Sequence, residues 1–328
     1  KSAEPGRFVI DELALRGGPG AMAAAPGAIV RLGESQVELE AFDLTLAEGG
    51  RLILRNVALP KSVESASALL KHPGFAADLR LARLRVETFS SLMQLSDLDL
   101  AGVLTADLRV AGNPAGVRVA GRVELSSGEL ASPTLVARGV SADLKFGEKL
   151  GPLAGRLAAS FQEVVNAGQS FGGGELDVAF DESFRVTVSE ANWQTEQVAL
   201  VVDPDSQLRF ENGQVAFDSL GLRSGEQHLV ARGGISTERF DALNVDVMRL
   251  DLSWLRDTLA AFGVALEDET LAGTLAGEVH LQGLIADPVV RGSLRGEEIV
   301  LSGVAFERVG LEMASEGDSA NLTSTWTA

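Results

Sequence analysis

An all-β fold, mainly antiparallel with a few short helices, is what this sequence predicts, and three observations carry it. Apolar residues recur at every second position over long stretches: Leu98, Leu100, Gly102, Leu104, Ala106, Leu108 and Val110 share one parity, while Asp99, Thr105, Asp107 and Arg109 share the other. Gly, Pro, Asn, Asp and Ser break the pattern about every ten residues, as the joints of a meander do. Strand signals never alternate with long helical ones, which excludes a doubly wound parallel sheet.

The pattern is written twice. LDLAGVLTADLRVAGNPAGVRVAGRVELSSGEL, from Leu98 to Leu130, has a second version from Leu271 to Leu301, LAGTLAGEVHLQGLIADPVVRGSLRGEEIVL. Each carries a Leu-Ala-Gly strand, a glycine ten residues on (Gly112, Gly283), a turn at Asn-Pro or Asp-Pro, and a second strand through Gly121 or Gly292. After the first turn Val117, Val119, Val123 and Leu125 keep the apolar parity; in the second version Leu271, Gly273, Leu275, Val279 and Leu281 do, followed by Val290 and Leu294. Arg83–Phe89 is echoed by Arg249–Leu255, and Val37–Leu52 by Val215–Val230. Order kept at a nearly constant period marks a repeat architecture.

In order along the chain, strands are expected at Phe8–Leu15, Ile29–Leu32, Val37–Leu46 and Arg51–Leu59, parted by turns such as Gly33-Glu34-Ser35. Pro60 ends this series, and residues 62–71 switch to helical spacing, with Ser62 as the expected cap and His72-Pro73-Gly74 as the stop. A strand over Ala77–Val86 and a short helix over 88–95 lead into the first Leu-Ala-Gly element. Beyond it strands are expected at Thr134–Phe146, Leu153–Phe161, Gly174–Phe180, Phe184–Ser189, Gln197–Val202, Gln207–Phe210, Gln214–Leu222 and His228–Ile235. Val186, Val188, Val215 and Phe217 carry the apolar parity through this middle part. A third helix is expected over 253–262, with Ser253 as cap and Gly263 as stop.

Composition narrows the function. Asp plus Glu number 46 against 28 Lys plus Arg, a net charge of −18, which disfavours nucleic acid and adsorption to an anionic membrane face. With no cysteine there is no disulfide, thiolate metal site or cysteine nucleophile. Aromatic residues are 5% and tyrosine is absent, so the interior is aliphatic and suits flexible chains better than stacked rings. The longest apolar run near the start, Ala21–Val30, contains Pro26 and Gly27 and is too short to span a bilayer. The chain starts at Lys1 and stops at Ala328 inside a strand-like run, which reads as a fragment of a longer protein.

No catalytic or metal site is expected. His72, His228 and His280 stand in no ligand spacing, and His280 falls on the wetter parity of its strand. Glycines at 17–20 and 172–174 are not followed by the lysine and serine of a phosphate loop, and read as turns. Asp181-Glu182 and Glu267-Asp268-Glu269 lie at joints where solvated charge belongs and lack a calcium-loop pattern. What remains is the apolar parity itself. A single curved layer would leave it uncovered, whereas two facing layers would make it core; periodicity is the same in both cases.

The Leu-Ala-Gly strand ending near a proline turn, then Val-x-Gly and a following Val-x-x-x-Leu (Val140–Leu144; Val309–Met313 in the second version), resembles the AsmA-like/TamB family of the bacterial envelope. The resemblance covers nearly the whole chain, most specifically 84–144 and 207–313. It implies an elongated repeating β-groove with a hydrophobic concave face, a first repeat over 1–145 and a second over 146–328 in one continuous unit. It further implies phospholipid transport between inner and outer membranes across the periplasm, in support of outer-membrane biogenesis and protein assembly. An outer-membrane β-barrel of the TamA type would be a partner, with an inner-membrane anchor outside this fragment and no enzyme activity or cofactor. On this reading Leu98, Leu100, Leu104, Leu108, Val110, Val117, Val119, Val123, Leu125, Val186, Val188, Val215, Phe217, Leu271, Leu275, Val279, Leu281, Val290 and Leu294 line the groove, and Gly102, Gly121, Gly273 and Gly292 give it curvature. Two other classes share the pattern. A structural or adhesive β-solenoid would use the same residues as closed core; a polysaccharide binder would want aromatic platforms, and Trp193, Trp254 and Trp326 are scattered.

Overall fold

The computed structural model describes residues 6–10, 13–15, 22–24, 28–46, 49–63, 65–87, 99–132, 135–166, 169–170, 172–195, 198–211, 213–261, 271–316 and 319–327. The chain is all-β and antiparallel, with two short helices among the described residues. It divides into two units, Lys1–Ala167 and Gly168–Ala328.

The first unit opens with short strands β1 (Gly6–Ile10), β2 (Leu13–Leu15), β3 (Met22–Ala24) and β4 (Ala28–Leu32); β1 pairs with β4 and β2 with β3. The strand expected over Phe8–Leu15 is matched by β1 and β2, on either side of residues 11–12, which lie outside the described residues. The longer β5 (Gln36–Leu46) pairs with both β3 and β4. A meander follows: β6 (Arg51–Pro60), β7 (Ala76–Arg85), β8 (Asp99–Ala111), β9 (Arg118–Ala131) and β10 (Leu135–Phe146) each pair antiparallel with the strand before. Both β11 (Gly155–Phe161) and β12 (Glu163–Asn166) pair with β10. Leu153, expected to start a strand, sits instead in a bend closed by the Ala154 amide donating to the Pro152 carbonyl at 2.8 Å.

The second unit holds β13 (Gln169–Ser170), β14 (Gly173–Phe180), β15 (Arg185–Gln194), β16 (Ala199–Val202) and β17 (Gln207–Glu211), in which β15 pairs with β14, β16 and β17. Then come β18 (Gln214–Ser224), β19 (Gln227–Ser236), β20 (Arg239–Asp251), β21 (Ala272–Leu284), β22 (Asp287–Leu301), β23 (Val304–Glu316) and β24 (Ser319–Thr327), again each antiparallel to its predecessor. β20 is not among the strands expected from the sequence. Ala242, at φ 46°, forms a bulge that moves Phe240 and Leu243 out of simple alternation.

The internal repeat is a repeat of register and of bulges. In the first unit Val37 faces Leu59 and Leu39 faces Val57; in the second Val215 faces Ile235 and Phe217 faces Gly233. Arg83 (φ 50°) breaks the ladder between Leu81↔Ala106 and Leu84↔Leu104, and Arg249 (φ 55°) breaks it between Val247↔Gly277 and Leu250↔Leu275. One further bulge in each version places Gly102 against Ser127 (φ 51°) and Gly273 against Glu298 (φ 52°). Each bulge inserts one residue, so apolar side chains three apart, such as Leu81 and Leu84, stay on the same face while the arginine between them points to water.

Helix α1 (Ala66–Lys71) is capped by Ser65, whose hydroxyl accepts from the Ala68 amide at 3.1 Å. Ser62 is not the cap. The preceding Lys61 amide is tied to the Ser35 carbonyl at 2.9 Å, which holds this stretch beside the β4–β5 turn and delays coiling. His72 ends the helix, donating its amide to Leu69. The helix expected over 88–95 lies outside the described residues; Val86 and Glu87 are already helical after β7.

Helix α2 (Leu252–Ala261) begins directly after β20. Its cap is Asp251 and not Ser253: Asp251 Oδ1 accepts from the Ser253 amide (2.7 Å), the Ser253 hydroxyl (2.6 Å) and the Trp254 amide (3.2 Å). The Ser253 hydroxyl bond holds the Asp251 carboxyl below the ordinary 3.8, with the two amides and Arg256 adding to it and burial opposing. A depressed folded pKa contributes stability above the ordinary value and loses it as the pH falls through the folded value. Asp251→Ala is expected to cost about 1 kcal/mol, read as faster hydrogen exchange at the α2 amides at pH 7, with the difference shrinking below the ordinary carboxylate pKa.

Candidate functional site

Two faces with opposite chemistry result from this pairing. In the first unit one face carries cross-strand rows of aliphatic side chains: Leu44 faces Leu52, Leu52 faces Leu81, Leu81 faces Ala106, and Ala106 faces Val123, which faces Leu144. Leu44, Leu46, Leu81, Leu84 and Ala106 are buried here, with Phe42, Leu79, Leu104 and Leu108 packed against them. Such rows are the unit of sheet stabilisation, each apolar pair adding a few tenths to about 1 kcal/mol.

The groove residues named from the sequence meet on this face. Leu100, Leu104, Leu108 and Val110 of β8 lie beside Val119, Val123 and Leu125 of β9, with Leu104↔Leu125 and Val110↔Val119 in register. Val117 immediately precedes β9, and Leu98 lies outside the described residues. In the second unit Val186 faces Leu208, which faces Phe217, and Val188 faces Val178. Val215 faces Ile235. Leu275, Val279 and Leu281 of β21 face Leu250, Val245 and Leu243 on one side; on the other Leu281 faces Val290, and Leu294 faces Gly277. Gly102 and Gly273 occupy the bulges. Gly121 and Gly292 lie where strands approach closely, so that an added Cβ would sit 1.9 Å from the Asp107 carbonyl and 2.4 Å from the Glu278 carbonyl.

The residues named from the sequence omit Leu44, Leu46, Leu81, Leu84, Leu243, Val247 and Leu250, all buried. The first two and Leu81 share the parity of their strands and were legible in principle. Leu84 and Leu250 follow the Arg83 and Arg249 bulges and were not.

Burial is incomplete over most of this surface. Among the described residues twenty apolar side chains are buried, and of the β8–β9 groove residues Val119 alone is among them. Leu100, Leu104, Leu108, Val110, Val123 and Leu125 are half-buried, as are Val279, Leu281, Val290 and Leu294. The cover is greater beside α2, where Leu252, Ile299 and Val309 are buried and the half-buried Leu255, Leu271 and Leu275 pack against them.

The opposite face is charged. Arg122 reaches Asp143 through Nε (2.5 Å) and Nη2 (2.8 Å), Lys145 joins the same carboxylate at 2.7 Å, and Arg51 pairs with Asp43. The second unit has Arg209–Asp218 at 2.9 Å and Arg232–Asp246 at 2.6 Å. The Arg122 guanidinium, with Lys145, pulls the Asp143 carboxyl down to about 2, against the effect of burial. Because this pair is exposed, its stabilisation is modest and screened by salt. Asp143→Asn is expected to lower the melting temperature slightly at pH 7, and the difference should vanish as the pH falls from 3.8 towards 2.

The histidines have structural surroundings. His72 ends α1, His228 Nε2 meets Asp203 Oδ2 at 2.7 Å, and the exposed His280 pairs with Asn244. Among the described residues no three His, Cys, Asp or Glu side chains are grouped to hold a metal, and no helix is long and apolar enough to cross a membrane.

No protein-family model, curated protein or solved structure matches this chain.

Proposed function

We propose that this protein carries phospholipid between the inner and outer membranes across the periplasm, with acyl chains lying on the apolar sheet face. The observation that supports this most is the half-buried state of an almost purely aliphatic surface, from Leu100 to Leu125 in one unit and from Val279 to Leu294 in the other. A closed core of the same residues would be buried, and soluble proteins rarely leave such a surface without a ligand. Each acyl CH₂ removed from water contributes about 0.8 kcal/mol. Headgroups stay in solvent, and because neighbouring strands offer near-equal surroundings, a chain meets small barriers as it moves from strand to strand. The resemblance to the AsmA-like/TamB family supports the same reading and brings its expected partner, an outer-membrane β-barrel of the TamA type. No chemical step is required.

Native mass spectrometry of the purified protein tests this directly, with co-purifying phospholipid the expected result. Photo-crosslinkers at Leu100, Phe217 and Leu281 should each capture lipid in the cell. Leu281→Asp should lower lipid retention while leaving the β-rich circular dichroism spectrum intact. Absence of lipid from every preparation, with no crosslink at any of the three positions, would overturn the proposal in favour of a β-solenoid.

A further inference from the structure

The charged face of the second unit leaves two neighbouring cations unmatched. Several arginines of this protein meet a carboxylate on an adjacent strand, as in Arg51–Asp43, Arg122–Asp143, Arg138–Glu163 and Arg232–Asp246. Arg295 of β22 stands opposite Ala276 on one side and Gly310 on the other, so no carboxylate lies directly across from it. Arg308 of β23 is in register with Glu297 and Thr327. Among the described residues neither guanidinium forms an ion pair, and both side chains are exposed. The chain's net charge of −18 does not cancel them at a distance, because at physiological salt the field of a solvated carboxylate fades over about 8 Å.

Both arginines line a depression of about 420 Å³, together with Glu297, Gly310, Thr325 and Thr327. A Cβ on Gly310 would lie 2.5 Å from Thr325 Oγ1, so the missing side chain leaves room for that hydroxyl over the floor. We infer that this depression binds the phosphate monoester of a small polyol, with Arg295 and Arg308 on the phosphate oxygens, the Thr325 hydroxyl donating to one of them and Glu297 accepting from a hydroxyl of the polyol. A guanidinium offers paired N–H donors that match two phosphate oxygens, and a carboxylate only accepts. Inorganic phosphate would fill little of this space and would be repelled by Glu297. A ligand that joins a phosphate to a hydroxyl satisfies all three charges. The site lies on the sheet face opposite Leu294 and Leu311, so it stands apart from the lipid-carrying reading.

Titration calorimetry of the 328-residue chain tests this with α-glycerophosphate, inorganic phosphate and glycerol as probes. The ester should bind, inorganic phosphate should bind more weakly, and glycerol should not bind. Arg295→Gln and Arg308→Gln should each weaken the ester about ten- to a hundredfold, the effect of losing a hydrogen bond between charged groups. Arg291→Gln should leave its affinity unchanged, since Arg291 faces His280 and Ala314 outside the depression. All three arginines are exposed, so the variants should fold. The same monoester also occurs at a membrane surface, in phosphatidic acid. Vesicles of phosphatidylcholine with phosphatidic acid, set against phosphatidylcholine alone, separate the two sources: capture that needs both phosphatidic acid and Arg295, with no binding of the soluble ester, would assign the group to a lipid headgroup. Inorganic phosphate binding as tightly as the ester would overturn the polyol assignment and the role of Glu297. Absence of binding to either source, or affinity unchanged in both arginine variants, would overturn the site.

Discussion

Gly121→Ala is expected to destabilise the first unit by about 3–5 kcal/mol. Two costs combine. Gly121 has φ +121°, a conformation that strains any residue with a Cβ by about 1–3 kcal/mol. The new methyl would also lie 1.9 Å from the Asp107 carbonyl oxygen, which is main chain of the neighbouring strand and moves only if the β8–β9 ladder opens; overpacking of this sort costs about 1–3 kcal/mol more. Gly116 separates the two costs. Its φ is +143°, but nothing lies within 4 Å of its Cβ position, so Gly116→Ala should carry the strain alone. Urea unfolding of both variants gives the comparison, and equal losses would show that the close approach of β8 and β9 does not constrain the sheet.

Leu84→Ala is expected to cost about 3 kcal/mol, within the range for buried leucines truncated to alanine. Leu84 is 1% exposed and packs among Leu46, Leu81 and Leu104, where the surrounding strands are pinned by their ladders and collapse poorly into a cavity. Leu108→Ala on the same face should cost clearly less, because its half-buried side chain gives up less area. The ratio of these two losses measures how far the apolar face departs from a closed core. Near-equal losses would mean that Leu108 is covered in solution.

Much of the fold was legible because a strand with one dry face writes its orientation every second residue. Leu104 and Leu281 lie on the apolar parity of their strands, and the register sets them against Leu125 and Val290. The limits of that reading are the bulges. Arg83, Arg249, Ser127 and Glu298 each add one residue to a strand, and no residue type at these positions announces a left-handed backbone. Parity counted through them puts Leu84, Leu250 and Ile299 on the wrong face, and all three are buried. Caps show the same division. Ser62 and Ser253 have the chemistry of caps, yet Ser65 and Asp251 do the work, since the cap is set by where the preceding strand releases the chain.

By itself the sequence determined the all-β class, the antiparallel order, the two versions of one strand series and the separation of aliphatic from charged faces, because each is a local consequence of alternation and turn chemistry. Only the tertiary structure decided how deeply each apolar side chain is buried, that α2 packs on a buried cluster of Leu252, Ile299 and Val309 while Leu281 and Leu294 stay half-buried, and that Trp254 Nε1 and Thr258 Oγ1 are covered without a hydrogen-bond partner. Periodicity records which side of a strand a residue faces, whereas burial depends on what other elements come to lie on that side, and this is fixed by bulges and helix placement that a two-residue period does not encode.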